Sequence, residues 1–419
     1  MSFQQGLSGL NGAQRALDVI GNNVANTSTV GFKQARAQFA DVFAATLEGA
    51  AGSQVGIGTT VDSVAQQFTQ GNITISDNPL DVAINGQGFY RMSRDGAISY
   101  TRNGQFGTDK DGFLVNAGNY RLTGYLADAT GTILPSLPAE IRIDTSDLVP
   151  QATASATVGL NLDSREAVAT GAAAWTGAFL ASGALPTPDM YNSSTALTAF
   201  DTLGNAHVLT LYFVKQAAAG AWDAYSQMDT PSAANPVQLA GASPALAFDT
   251  SGQLASAMPL SLSFPVTSGA ASPLAFGLDF TGSTQFGTAF GVNRLAQDGY
   301  TAGRLAGVTV GADGVVQGRY TNGQARDMAQ VVLSDFANPN GLVSLGGNQW
   351  AETSESGVPL TGAPGSGSLG VLQSAALEES NVDLTEELVN MITQQRSYQA
   401  NAQSIRTQDQ LMQTLVNLR

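Results

Sequence analysis

Apolar residues recur on a seven-residue spacing at both ends of the chain and on a two-residue spacing between them. At the N-terminus Phe3, Leu10, Leu17 and Val24 share one position of the repeat, and Gly6, Ala13, Ile20 and Thr27 stand three residues after each. That is an a/d seam held for more than three heptads, and it predicts a helix over residues 1–28. At the C-terminus Leu377, Leu384, Met391, Tyr398, Ile405 and Met412 share one register, with Leu388, Ala402 and Val416 four residues after alternate members. Polar Asn381, Gln395 and Asp409 interrupt that second row, which lowers stability and helps to set register. The pattern predicts a second helix over 375–419, with Asn381 or Asp383 as cap and Glu386 and Glu387 in the first turn, where the helix dipole favours acids.

Two ordinary amphipathic helices on a globular core would give a similar pattern. Two features count against that reading. A helix of about 35 residues is about 50 Å long, so much of its seam overhangs any one small core and needs a partner. Its remaining positions draw their polarity from Gln394, Gln399, Gln403, Gln408, Gln410 and Gln413, where solvated faces more often carry Glu and Lys pairs.

From about residue 72 the period becomes two. GNITIS, PLDVAI, GFYRM, AISYT and YRLTGYL are short β-rich runs punctuated by NG, DG and SDNP turns. VTVGADGVVQGRY (308–320) reads as a hairpin closed on Ala312, Asp313 and Gly314, and AQVVLSDF (329–336) as a further strand. Between about 146 and 285 the texture shifts to Ala, Ser, Thr and Gly, with Arg165 and Lys215 as the cations, while HVLTLYFV and PLSLSF still read as strands. The expected fold class is therefore mainly β with two long terminal α-helices, and the expected order has six parts. These are an N-terminal helix (1–28), a connecting turn region (29–71), a first β-domain (72–145 plus 286–360), a second β-domain inserted in it (146–285), a Gly/Ser linker (361–374) and a C-terminal helix (375–419).

Composition narrows the function. A formal net charge of -15 with no Lys/Arg-rich run makes nucleic acid and anionic membrane poor partners. There is no cysteine, which excludes disulfides, thiolate zinc and thiol catalysis and lets such a chain work outside the cell. MSFQQGLSGLNGAQRAL lacks the basic and apolar regions of a cleavable secretion signal, and no stretch is apolar for the ~20 residues of a membrane span.

Candidate chemistry is thin. Gly365, Gly367 and Gly370 satisfy G-x-G-x-x-G, but no strand precedes them in a βαβ unit and no acid follows about 20 residues on. The single histidine, His207, opens a strand after a turn, and no G-x-S-x-G elbow offers it an activated serine. Asp77, Asp95, Asp111, Asp128 and Asp313 lie in turn contexts, where Asp is favoured for backbone hydrogen bonding. Asp109-Lys110-Asp111-Gly112 begins like a calcium loop, yet Gly118 stands where its Glu belongs. Catalytic, cofactor and metal residues are all expected to be absent.

The segments SGLNGAQRALDVIGNNVANTSTVGFKQARAQFADVF (8–43) and ALEESNVDLTEELVNMITQQRSYQANAQSIRTQDQLMQTLVNLR (376–419) resemble the two ends of the flagellar rod and hook axial-protein family. LDVAINGQGFYRM, SYTRNGQF, DTLGNAHVLTLYFV and NPNGLVSLGGNQWAETSESG resemble the middle regions of its hook members. The resemblance implies an extracellular bacterial tube in which both terminal helices form an inner coiled coil lining a channel, with the β-domains pointing outward. It implies a structural subunit of the hook, a flexible hollow tube and universal joint passing motor torque to the filament. Implied partners are further copies of the chain, the distal rod protein, the hook cap protein, the hook-filament junction protein and the flagellar type III export apparatus. A distal rod protein of the same family is the near alternative; a secreted β-rich surface protein or glycosidase is the distant one.

On this reading the seam positions serve contacts between subunits. Asn22, Asn23 and Asn26 form a turn that tolerates left-handed backbone and, with Gly31 and Phe32, makes a joint between tube wall and outer domains. Gln399, Gln403 and Gln410 are the channel-facing candidates. Because overhanging seams find partners only in neighbours, residues 1–28 and 375–419 are expected to be largely disordered in the monomer. An NMR spectrum of the monomer should show narrow, undispersed terminal amides; dispersed and exchange-protected ones would contradict this.

Overall fold

The computed structural model describes residues 2–42, 56–128, 130–182, 184–229, 237–238 and 244–417. The protein is mostly β with a helix at each end, and it divides into two compact units. The first comprises Met1–Thr145, Ala306–Arg319 and Ala325–Arg419; the second comprises Ser146–Leu305 and Tyr320–Gln324.

In the first unit, helix α1 (Ser2–Ala25) is followed by strands β1 (Ala35–Val42) and β2 (Gly58–Gln66), which pair antiparallel. The expected connecting region 29–71 thus contains a two-stranded ribbon, and its residues 43–55 lie outside the described residues. Alternation of Ala35, Ala37 and Phe39 with Arg36 and Gln38 is the period-two signal that the stronger helical pattern beside it obscures. Strands β3 (Ile73–Ile75), β4 (Val82–Asn85), β5 (Phe89–Arg94) and β6 (Ala97–Thr101) follow. Strands β5 and β6 form a hairpin through Asp95 and Gly96, both at positive φ, the geometry that a two-residue turn of this handedness needs. They belong to a sheet of 13 strands among the described residues. Its core is aromatic: Phe68, Phe89, Tyr100, Phe336 and Trp350 meet edge to face at centroid distances of 4.8 to 5.9 Å.

The supposed Gly/Ser linker 361–374 is folded. Leu360–Gly362 pairs with Leu333–Asp335, and Val371–Ser374 pairs with β4. Its glycines serve turns: Gly365 and Gly367 take positive φ, and a Cβ on Gly370 would stand 2.5 Å from the Asn85 carbonyl oxygen. The C-terminal helix does not begin at 375. Ala376–Glu378 is a strand paired with β3, so Leu377 lies in a sheet and not on a helical seam. After the short helix α2 (Gly177–Ser182) of the second unit, the terminal helix α3 runs over Leu384–Asn417. Asp383 caps it, its Oδ1 accepting from the amides of Thr385 and Glu386.

The second unit stacks two sheets around one core. One holds Leu260–Phe264, Leu274–Asp279, Ser155–Asn161 and Gly291–Gln297; the other is built on Ser193–Phe200, Ala206–Lys215 and Ala221–Met228. Alternate residues of both, among them Val158, Leu160, Leu211, Phe213, Phe276 and Leu278, fill the space between. Gly291–Gln297 pairs with Ser155–Asn161, so residues 286–305 belong to this unit and not to the first β-domain. On the other face of the second sheet Trp175 stacks on Tyr225 at 3.9 Å.

Candidate assembly interface

Helices α1 and α3 pack antiparallel within the single chain, so the terminal segments expected to be largely disordered in the monomer are ordered as a helix pair. A Cβ on Gly6 would meet Ile405 at 3.0 Å, and one on Gly9 would meet Asn401 at 2.8 Å, while Ile20 and Asn23 line a cleft with Glu387 and Gln394 at the opposite end. The buried positions of α1 are Gly6, Gly12, Ala13, Ala16, Ile20 and Asn23. Small side chains let the two backbones approach closely, at the cost of conformational entropy that glycine loses on folding.

The anticipated seam divides. Ile20 is buried, Leu10, Leu17 and Val24 are half-buried, and Phe3 is 52% exposed. On α3, Met391, Ala402 and Ile405 are half-buried, whereas Leu384, Leu388, Tyr398 and Met412 are exposed. The side chain of Val416 lies outside the described residues. Leu7, Val389, Ile392 and Leu411 are further large apolar side chains left exposed on the two helices, and heptad reasoning missed them. Gln399, Gln403 and Gln410 are exposed.

The joint residues have roles other than those expected. None of Asn22, Asn23 and Asn26 takes positive φ; Gly31 does, at φ 69°, and a Cβ there would sit 2.7 Å from the Asn103 nitrogen. Asn23 is buried, its Nδ2 donating to the Ala35 carbonyl at 2.8 Å while its Oδ1 accepts from the Ala35 amide at 2.9 Å. Asn26 Nδ2 donates to the Asn22 carbonyl, and Asn26 Oδ1 accepts from Thr29. Side-chain hydrogen bonding, the other reason for Asn in such places, prevails over backbone tolerance.

Beyond that turn the chain is anchored by a buried ion cluster. Lys33 Nζ stands 2.6 Å from Glu378 Oε1 and also donates to the Thr69 carbonyl at 2.7 Å. Arg102 donates to Glu378 Oε2 at 3.2 Å and to the Gly86 carbonyl at 2.8 Å. The Gly71 amide donates to Glu378 Oε1, and the Glu378 carbonyl accepts from the Gly31 amide at 2.8 Å. All three charged side chains are at most 3% exposed. Burial pushes the Lys33 ammonium below its ordinary range; Glu378 opposes this and Arg102 adds to it. Beside the cluster Asn381 accepts from the Gln34 amide and donates to the carbonyls of Gln67 and Thr69. Gln34 Nε2 in turn donates to Glu387 Oε1. One network therefore holds the segment leaving α1 and the segment entering α3 against the same strands. Lys33, Arg102 and Glu378 were not singled out from sequence, because the partners lie 345 and 276 residues apart.

Elsewhere the polar groups are structural. His207 lies between Asp201 (3.3 Å) and Asp229 (3.5 Å), and Asp201 also accepts from Asn205 and Ser268. Asp128 and Asp313 accept backbone amides in turns. Among the described residues there is no cluster of three or more His, Asp or Glu able to hold a metal, and no helix long and apolar enough to cross a membrane.

The two terminal helices are packed on each other and clamped to a β-rich body with apolar side chains left uncovered, and comparison with known proteins places such a chain in the flagellar axial class. Four family models match in order along the chain. They are the flagella basal body rod protein (3–33), the flagellar hook protein FlgE/F/G D1 domain (83–161), the flagellar basal body protein FlaE D2 domain (161–300) and the flagellar basal body rod FlgEFG protein C-terminal region (373–418). The flagellar hook protein FlgE of Escherichia coli K12 is 42% identical over all of both chains. That of Borreliella burgdorferi is 32% identical, covering 100% of this chain and 99% of its own. A crystal structure of Helicobacter pylori flagellar hook protein FlgE2 shares the fold, with a TM-score of 0.52 at 14% identity, covering 73% of this chain and all of its own. The chain belongs to the flagellar hook protein FlgE family. It is a structural subunit of the hook that polymerises within the flagellar axial structure, and not an enzyme.

Glu378→Ala should leave Lys33 and Arg102 buried without a counter-charge and destabilise the first unit by about 3–5 kcal/mol. Denaturant melting of the full chain checks this; a loss under about 1 kcal/mol would mean that the cluster is not desolvated as described.

Proposed function

We propose that the chain builds a hollow tube in which α1 and α3 of many copies form an inner coiled-coil wall, while the second unit, as an insertion in the first, points outward. The observation that carries this is the uncovered apolar side chains of the helix pair, with Phe3, Leu7, Leu388, Val389, Ile392, Leu411 and Met412 exposed on one chain. Rows of this size on a soluble protein mark contact surfaces. Leu10, Leu17, Val24, Leu384 and Tyr398 extend those rows, and the half-buried Met391, Ala402 and Ile405 serve the pairing of the two helices.

The tube acts as a universal joint between rod and filament. Bending during rotation requires each contact to lengthen and shorten once per turn, and a chain with only 12% charged residues has few geometry-locked ion pairs to break. The segment from Asn22 to Phe32, fixed through Gly31 and Lys33, is a rigid elbow setting the direction in which the helices leave the β-strands. Neighbours in the axial structure are the distal rod protein, the hook cap protein and the hook-filament junction protein, reached outside the cell through the type III apparatus. The same-family distal rod reading is disfavoured by the matches to hook proteins over the whole length.

Deleting residues 384–419 should leave a soluble, folded core that no longer assembles, seen by electron microscopy as loss of short hollow tubes. Tubes that persist would rule out the inner wall. Gln399, Gln403 and Gln410 give the channel a wet wall of low charge, so replacing all three by Leu should slow filament growth beyond the hook; growth at the normal rate would remove them from the channel.

A further inference from the structure

The network at the elbow leaves two buried polar atoms without a hydrogen-bond partner, Arg102 Nε and one carboxylate oxygen of Glu387. Glu387 is 2% exposed; its Oε1 is held by Gln34 Nε2, and its Oε2 has no hydrogen-bond partner. A buried carboxylate oxygen without a donor carries an uncompensated desolvation cost. The residue borders a cleft of about 440 Å³ between α1, β1 and the first turns of α3. Glu386, Asn390, Thr393 and Gln394 line one wall, and Gln34, Arg36, Ala37 and Phe39 the other. Arg36 is exposed and makes no ion pair among the described residues. It follows Gln34 by two residues, the spacing that puts alternate side chains of extended backbone on one side. A fixed carboxylate and an unengaged guanidinium thus flank one gap, each able to satisfy the other with a charge-assisted hydrogen bond.

We propose that this cleft is a latch that closes on assembly, the Arg36 guanidinium docking on Glu387 Oε2 with Glu386 beside it. The inference rests on the polymer reading above. In the single chain the pair stays open, because closing it brings an exposed guanidinium out of water and moves β1 toward α3. Neighbours pressing on the exposed faces of the helix pair and of the ribbon supply that work, so the same contacts that extend the tube lock the helices onto their own β-ribbon. Assembly and the set of the elbow become coupled through one ion pair.

The test compares wild type, Arg36→Gln, Glu387→Gln and the double variant as full chains. Thermal melting of the monomer should be unchanged by Arg36→Gln. The critical concentration for tube growth should rise about tenfold in either single variant and no further in the double variant, as for two ends of one desolvated pair. Arg36→Lys should recover part of the loss. Wild-type assembly by Arg36→Gln, or single effects that multiply in the double variant, would overturn the latch alone. A wild-type chain that forms no tubes would overturn the polymer reading and the latch with it.

Discussion

The carboxylate of Glu378 is the constraint on which the first unit depends. Buried in the strand that precedes α3, it is met by Lys33 from the segment after α1, by Arg102 from the turn after β6 and by the Gly71 amide before β3. Its own backbone carbonyl receives Gly31. Two cations around one anion in a dry site are costly to desolvate and are held by the carbonyls of Thr69 and Gly86. What such a site contributes is definition: the chain leaving one terminal helix and the chain entering the other are fixed to the same strands by buried groups.

From that fixed base the helix pair follows. Gly6 and Gly9 face α3 while Gly12 and Asn23 face the β1–β2 ribbon, leaving larger apolar residues such as Phe3 and Leu7 uncovered. A single chain with large residues inside and glycines outside would be a better monomer and a poorer subunit. Inside the pair, close backbone contact supplies cohesion; outside it, large side chains await other copies. The helix lengths agree with this division, since 34 residues of α3 outrun the 24 of α1 by about 15 Å.

Much of this was legible in sequence, and the failures are physical. Heptads gave the helices, and turn dipeptides such as Asp95-Gly96 gave the hairpins. Heptad counting nevertheless weights large side chains, so it set Phe3, Leu10, Leu17 and Val24 on equal terms with the small residues that the fold buries. Gly/Ser content read residues 361–374 as a linker, because composition cannot tell a flexible glycine from Gly365 or Gly367, which turn a strand back. The apolar register of Leu377 carried the expected helix start to 375, nine residues before Leu384, where pairing with β3 wins over periodicity. Contacts across hundreds of residues leave no local trace, and Lys33 and Glu378 are such a pair.

These relations make the elbow a part of the β-body. The amides of Gly31 and Gly71, both bound to Glu378, report on it directly through native-state hydrogen exchange of the full chain. They should exchange only through global unfolding of the first unit, at the rate of the β4 amides of Val82 to Asn85. Fast exchange at Gly31 and Gly71 while β4 stays protected would show a hinge where the structure describes an anchor.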